Sequence, residues 1–186
     1  MKITIFASGS GSNAENIIRY FQHRPDVFFP FILCNNKDAF VLERAKNVNI
    51  PTILFSKADL YEGKILDLLQ KNGIEWIILA GFLLRIPSAI VAAYPNRIIN
   101  IHPALLPKFG GKGMYGHHVH EAVIAAGERE SGITIHYVND RYDDGAIIFQ
   151  AACPVLPSDT PDDVAKKVHE LEYRYFPQLI EKVIAG

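Results

Sequence analysis

The sequence predicts an α/β fold in a single domain of 186 residues, with a mostly parallel twisted sheet that is flanked by helices and has an antiparallel C-terminal portion. The first observation behind this prediction is that short apolar, β-branched runs alternate with helical patterns through residues 1–100, which is typical of βαβ units. The second is that the pattern changes after Ser131, where two extended segments enclose a turn-rich loop and are expected to pair antiparallel.

The first half of the chain should begin with a strand, because residues 2–7 are apolar and β-branched. A glycine- and serine-rich segment follows it and leads into a helix that buries Ile17, Ile18 and Phe21. Further strands are predicted at residues 28–34, 52–55, 76–80 and 97–101, and further helices at residues 39–46 and 60–70.

In the second half, residues 132–138 and 146–151 are predicted to be the two antiparallel strands. A final helix is expected over residues 161–184, because Thr160 and Asp163 have the spacing of a capping box at its start. The residues predicted for its apolar stripe are spaced by about one helical turn: Val164, Val168, Leu171, Tyr175 and Leu179.

Composition excludes several classes of partner. The formal net charge of -1 gives no positive footprint for nucleic acid or an anionic membrane. No apolar run is long enough to span a bilayer, and no signal-peptide pattern precedes the first strand. Only Cys34 and Cys153 are present, too few for a disulfide framework or a four-cysteine zinc site. We therefore expect a cytoplasmic monomer or homodimer that acts on small molecules.

The segment Ser8–Asn13 lies between the first strand and the first helix. Its glycines allow close backbone approach, and free N–H groups at a helix start attract an anion. The string is neither a dinucleotide fingerprint nor a P-loop, so a nucleoside monophosphate or sugar phosphate is the ligand that it favours. The alternative is a plain tight turn in which Ser12 or Asn13 is the N-cap.

Asn100 and His102 stand two residues apart at the end of a predicted strand, so their side chains should face the same side. About forty residues later, Asp143 in a turn-rich loop can fix the tautomer of His102 and stabilise its protonated form. Asp144 should point elsewhere and be solvated. The alternative is that Asn100 and His102 only satisfy backbone groups at the strand end.

Other polar and apolar residues are weaker candidates. Residues 81–87 follow an apolar strand and can hold a flat organic ring, although such a cluster is more often core. His117, His118 and His120 invite a zinc interpretation, but His118 and His120 diverge on a helix and no ligand joins them, so no metal is predicted. His136 and His169 are interpreted as structural.

Taken together, five segments resemble the phosphoribosylglycinamide formyltransferase family of folate-dependent formyltransferases, and the resemblance runs from Met1 to the last helix. The segments are Ser8–Asn13, Leu79–Phe82, Arg85–Ile86, Asn100–Lys108 and Asp140–Gly145. The chain departs from the family pattern in two places: residues 82–85 are one residue longer, and residues 109–120 form a longer loop.

The resemblance implies a formyltransferase-type fold and a set of site residues. Residues 1–100 would be a phosphate-binding half and residues 101–186 a catalytic and folate-side half. Asn100, His102 and Asp143 would be catalytic. The ribonucleotide would contact Gly11, Ser12, Asn13 and Glu172, and the folate would contact Leu84, Arg85, Ile86, Pro87, Asn100 and Asp140.

The activity implied is transfer of the formyl group of 10-formyltetrahydrofolate to the amine of glycinamide ribonucleotide in purine biosynthesis, without a metal. Two alternatives remain open: a formyltetrahydrofolate deformylase-like hydrolase and a non-catalytic nucleotide-binding module. A tRNA formyltransferase fits less well, because it should carry a further basic domain.

Overall fold

The computed structural model describes all residues from Met1 to Gly186. The chain divides into two compact units, Met1–Ile99 and Asn100–Gly186. The division falls within a single strand, so the polar pair Asn100 and His102 belongs to the second unit.

The first unit contains parallel strands separated by helices, as predicted. Its strands are β1 (Ile3–Ala7), β2 (Ile32–Cys34), β3 (Thr52–Leu54) and β4 (Trp76–Leu79), in the spatial order β3-β2-β1-β4. All three of its strand pairs are parallel. β2 is shorter than predicted, because Phe28 makes only an isolated bridge to Lys2 and Pro30 has no N–H to donate.

The helices of this unit are α1 (Ser12–Phe21), α2 (Val41–Asn47), α3 (Lys57–Tyr61), α4 (Lys64–Lys71) and α5 (Ser88–Ala93). α1 buries Ile17, Ile18 and Phe21, as predicted. The single helix predicted over residues 60–70 is wrong, because Gly63 takes a left-handed conformation at φ 92° and separates α3 from α4.

The second unit contains the end of β5 (Ile98–His102), all of β6 (Glu130–Tyr137) and β7 (Ile147–Pro154), and the helices α6 (His117–Ala125) and α7 (Pro161–Ile184). β6 and β7 pair antiparallel, which confirms the prediction for this part of the chain. α7 has the predicted bounds and the predicted capping box. The α/β class, with a mostly parallel sheet and an antiparallel C-terminal portion, is therefore confirmed.

The buried face of α7 is rotated from the predicted stripe. Val164 and Val168 are buried as expected, but Leu171, Tyr175 and Leu179 are only half-buried. The next core positions are instead Glu172, Phe176, Pro177, Ile180 and Ile184. Apolarity alone did not reveal this, because the buried face includes the carboxylate of Glu172.

No helix of the chain is long and apolar enough to cross a membrane.

Candidate active site

A cluster of polar side chains lies at the carboxyl end of β5 in the second unit. His102 is 4% exposed, and its Nε2 donates a hydrogen bond of 2.7 Å to the carbonyl of Phe109. Since a carbonyl only accepts, neutral His102 carries its proton on Nε2. Its Nδ1 therefore presents a lone pair, and that atom lies 3.6 Å from Oδ2 of Asp143.

Asp143 is the predicted carboxylate, and the structure places it beside two imidazoles. Its Oδ1 lies 3.7 Å from Nε2 of His136, and its Oδ2 accepts a 2.9 Å hydrogen bond from the N–H of Gly111. The distance to His102 is that of an ion pair rather than of a hydrogen bond. Asp144 is exposed and lies 3.6 Å from Arg141, as its predicted solvation requires.

The electrostatics of this pair favour an ionised Asp143 beside a neutral His102. Burial lowers the pKa of His102 below its ordinary value, although Asp143 and the Phe109 carbonyl raise it. Burial raises the pKa of Asp143, but His136 and His102, when they are protonated, and the Gly111 N–H outweigh this effect, so that the pKa is lowered overall. At neutral pH the cluster therefore holds an ionised carboxylate against a neutral imidazole, which becomes an ion pair when His102 gains a proton.

His136 belongs to this cluster, although the sequence interpretation treated it as structural. Its Nδ1 donates to the carbonyl of Tyr137 at 2.8 Å, which fixes the neutral tautomer. Its Nε2 accepts a 3.0 Å hydrogen bond from Nδ2 of Asn100. His136 therefore orients the Asn100 amide and leaves the second hydrogen of that amide available. The alternation of side chains along β6 could have indicated this role, because it places His136 on the same face as the polar Thr134.

Two local features determine the position of the loop that carries Asp143. The pairing of β6 with β7 is irregular between Ile135 and His136, and such a bulge redirects the neighbouring side chain. At Gly145, an added Cβ would lie 1.6 Å from the carbonyl of Tyr137, so the chain passes too close to β6 for any other residue. The loop between β6 and β7 is thereby held near His136.

Glu172 and His120 form a second polar group within the same unit. Glu172 is 4% exposed, and it accepts a 2.7 Å hydrogen bond from Nδ1 of His169, one turn earlier on α7. This contact raises the pKa of His169. His120 on α6 is 3% exposed and its Nδ1 has no hydrogen-bond partner, whereas His118 is exposed, so the two side chains diverge as predicted. The His, Cys, Asp and Glu side chains form no group of three that could hold a metal.

The Ser8–Asn13 loop lies in the first unit and connects β1 to α1. Gly11 is the N-cap of α1 in a left-handed conformation at φ 74°, and no side chain caps the helix. The alternative in which Ser12 or Asn13 is the N-cap is therefore wrong. Ser8 anchors the start of the loop: its hydroxyl donates to Oδ1 of Asn35 at 2.6 Å and accepts from the N–H of Leu83 at 3.0 Å.

The predicted folate-binding residues of the first unit lie between β4 and α5. Ile86 is 3% exposed, Leu84 is half-buried and Pro87 is the N-cap of α5. The hydroxyl of Tyr61 donates to the carbonyl of Arg85 at 3.0 Å, so the backbone of this segment is fixed from α3. Asp140, the remaining predicted folate contact, is exposed in the loop between β6 and β7.

Comparison with known proteins identifies the family to which this chain belongs. The model of the formyl transferase family matches residues 1–180 of the 186. The chain therefore belongs to the formyl transferase family.

Within that family, the chain is similar to phosphoribosylglycinamide formyltransferases. It is 42% identical to the chloroplastic phosphoribosylglycinamide formyltransferase of Arabidopsis thaliana over 96% of this chain and 64% of that protein. It is 35% identical to phosphoribosylglycinamide formyltransferase of Bacillus subtilis over 98% of this chain and 94% of that protein. The chain thus spans less than two thirds of the chloroplastic relative but nearly all of the bacterial one.

A solved structure gives the same result. The crystal structure of phosphoribosylglycinamide formyltransferase from Streptococcus pneumoniae superposes with a TM-score of 0.86 and 37% sequence identity, covering 98% of each chain. The fold is therefore shared along almost the whole chain.

Proposed function

We propose that this protein transfers the formyl group of 10-formyltetrahydrofolate to the amine of glycinamide ribonucleotide, a step of purine biosynthesis. The observation that carries the proposal is the buried cluster in which His136 orients Asn100 and Asp143 faces His102. An amide donor and an imidazole that gains a stabilised proton are the groups that formyl transfer between nitrogens requires.

The reaction forms a bond between the substrate amine and the formyl carbon and breaks the bond from that carbon to the folate nitrogen. As the amine attacks, negative charge develops on the formyl oxygen. The available hydrogen of the Asn100 amide and a protonated His102 would donate to that oxygen. The proton released by the amine is proposed to pass by way of Asp143 to Nδ1 of His102, while Nε2 of His102 gives its own proton to the departing folate nitrogen.

Asp143 would act through His102. When Nδ1 of His102 gains a proton, its new N–H faces Oδ2 of Asp143. The N–H at Nε2 is then the one that can donate to the substrate. Nε2 is held by the Phe109 carbonyl, so substrate must displace that carbonyl before His102 can donate to it. The segment 109–116 contains four glycines, which gives its backbone the freedom to rearrange.

The binding roles proposed for the remaining residues follow the family resemblance. Gly11, Ser12 and Asn13 would take the ribonucleotide phosphate, and Glu172 would contact the ribonucleotide. Leu84, Arg85, Ile86, Pro87 and Asp140 would contact the folate. The proposal also includes a cytoplasmic location, a monomer or homodimer, no metal, and the two halves predicted from sequence, 1–100 and 101–186.

The test is the absorbance change on conversion of 10-formyltetrahydrofolate, measured with and without glycinamide ribonucleotide. Conversion should require the amine; conversion that ignores it would favour the deformylase-like hydrolase, and no conversion at all would favour a binding module. His102→Ala should lower kcat by roughly a hundredfold to ten-thousandfold, because it removes the acid/base group. The matched control is His118→Ala, which removes an exposed histidine from α6 and should leave kcat unchanged.

A further inference from the structure

The Ser8–Asn13 loop, proposed above to bind the ribonucleotide phosphate, has a support that neither the motif nor the family comparison assigns. It lies on α2 of the same unit and consists of the Val41 backbone and the Arg44 side chain. The N–H of Val41 donates to the carbonyl of Gly9 at 3.1 Å, and Nε of Arg44 donates to the carbonyl of Ser10 at 3.1 Å. Two successive carbonyls of the loop are thus held from one helix.

These contacts determine where the next amides point. A trans peptide is planar, so each carbonyl and the N–H of the following residue point in opposite directions. Holding the carbonyls of Gly9 and Ser10 against α2 therefore turns the N–H groups of Ser10 and Gly11 away from it. Neither of these N–H groups donates to a backbone carbonyl.

Arg44 is itself held in a single direction. Its second donor, Nη1, contacts Oε2 of Glu15 at 2.7 Å, and its guanidinium carbon lies 5.1 Å from the centre of the Phe40 ring. Glu15 also pairs with Arg19 at 2.8 Å, and the hydrogen bonds from Arg44 and Arg19 lower the pKa of the Glu15 carboxyl. The guanidinium thus holds the Ser10 carbonyl through Nε and the Glu15 carboxylate through Nη1.

Gly11 shows how closely the loop approaches α2. A Cβ at this position would lie 2.4 Å from Cγ2 of Val41 and 2.7 Å from its Cα. The loop therefore cannot move further towards α2, and Arg44 prevents the Ser10 carbonyl from turning away from it. The two contacts together leave one orientation for the peptide between Ser10 and Gly11.

We propose that Arg44 is a positioning residue for phosphate recognition: it holds the Ser10 carbonyl so that the Gly11 N–H is preset towards the phosphate. The inference rests on the proposed function for the identity of the substrate. An anion-binding loop that is already oriented loses less conformational freedom on binding, so Arg44 should affect substrate affinity and leave the formyl-transfer step unchanged.

The test compares Arg44→Met with Arg19→Met. Both variants remove one guanidinium partner of Glu15 and one positive charge, but only Arg44 contacts the loop. Arg44→Met should raise KM for glycinamide ribonucleotide about tenfold, with kcat and the Kd of a folate analogue unchanged, because preorganisation is lost. Arg19→Met should leave all three at the wild-type values, and circular dichroism monitors folding.

Arg44→Lys separates this positioning role from simple charge attraction. A lysine keeps the charge, but its single ammonium cannot reproduce the fork that contacts the Ser10 carbonyl and Glu15 together. We expect its KM to stay close to that of Arg44→Met. A wild-type KM in Arg44→Lys, or equal effects of Arg44→Met and Arg19→Met, would overturn the inference.

A binding measurement keeps the test independent of turnover. The amide resonance of Gly11 is followed by NMR during a titration with inorganic phosphate. It should shift in the wild type and in Arg19→Met, and shift much less in Arg44→Met. Absence of the shift in the wild type overturns the inference, whereas a normal shift without turnover of glycinamide ribonucleotide contradicts the proposed function alone.

Discussion

At the scale of single residues, the proposed chemistry depends on the carboxylate of Asp143. It lies within 3.7 Å of both His102 and His136, and it accepts the N–H of Gly111. Asp144 is adjacent in sequence but faces solvent near Arg141. The two neighbouring carboxylates therefore differ in environment, although they are identical in chemistry.

Asp143→Asn should lower kcat by roughly a hundredfold or more, because the protonated form of His102 loses its counter-charge. Asp144→Asn removes the same charge from an exposed side chain and should change kcat less than about twofold. Steady-state kinetics of the two variants decide the matter. Equal losses would show that the loop acts as a unit and that the His102 contact has no special role.

At the scale of elements, the turn after β5 is held by β6 and β7. The buried hydroxyl of Thr134 donates to the carbonyl of Ala104 at 2.7 Å and accepts the N–H of Leu106 at 3.0 Å. Nε2 of Gln150 donates to the same hydroxyl at 2.8 Å and to the carbonyl of Leu106 at 2.9 Å. This network fixes the segment that follows His102 directly.

Thr134→Val should reduce the free energy of unfolding by about 1–3 kcal/mol, because it leaves the Ala104 carbonyl and the Leu106 N–H buried without their partner. Thr134→Ser keeps the hydroxyl and loses only a methyl group, so it should cost about 1 kcal/mol. Urea unfolding at neutral pH measures both. If the serine variant is destabilised more than the valine variant, packing rather than hydrogen bonding dominates at this position.

At the scale of the whole molecule, buried histidines make stability depend on pH. Burial, together with the charges of His169, His117 and His102, lowers the pKa of His120 to about 4, although the charge of Glu172 raises it. The ordinary value of 6.5 applies when the chain is unfolded. The unfolded state therefore binds the proton more readily, and this contribution to stability is lost as the pH falls from 6.5 towards 4.

The loss from His120 alone should be about 2 kcal/mol at pH 5 and about 3 kcal/mol at pH 4, relative to neutral pH. His120→Leu removes the titrating group, so its free energy of unfolding should fall less over this range than that of the wild type. His118→Leu is the exposed control on the same helix and should keep the wild-type pH dependence. Urea unfolding at pH 7, 5 and 4 gives the three curves, and parallel curves for wild type and His120→Leu would contradict the assignment.

Much of the fold was readable from local sequence. The apolar runs of the parallel strands and the capping box at Thr160 gave β1, β4 and α7 to within a residue or two, because these signals lie within a few neighbouring residues. The break at Gly63 was missed, since a glycine within a helical pattern does not by itself reveal a left-handed φ. The buried face of α7 differs from the predicted one because it includes the charged side chain of Glu172, which is buried where α7 packs against α6 and β6.

For the site, the sequence alone determined which chemical groups are present and which of them share a strand face. Asn100 and His102 were selected by their spacing, and Asp143 by its place in a turn-rich loop. Only the tertiary structure decided that His136 orients Asn100, that Phe109 holds His102 and that Arg44 contacts the Ser8–Asn13 loop. The physical reason is range: backbone periodicity is encoded over a few residues, whereas these contacts join residues up to 36 positions apart, and they form only when the strands and loops that carry them have packed.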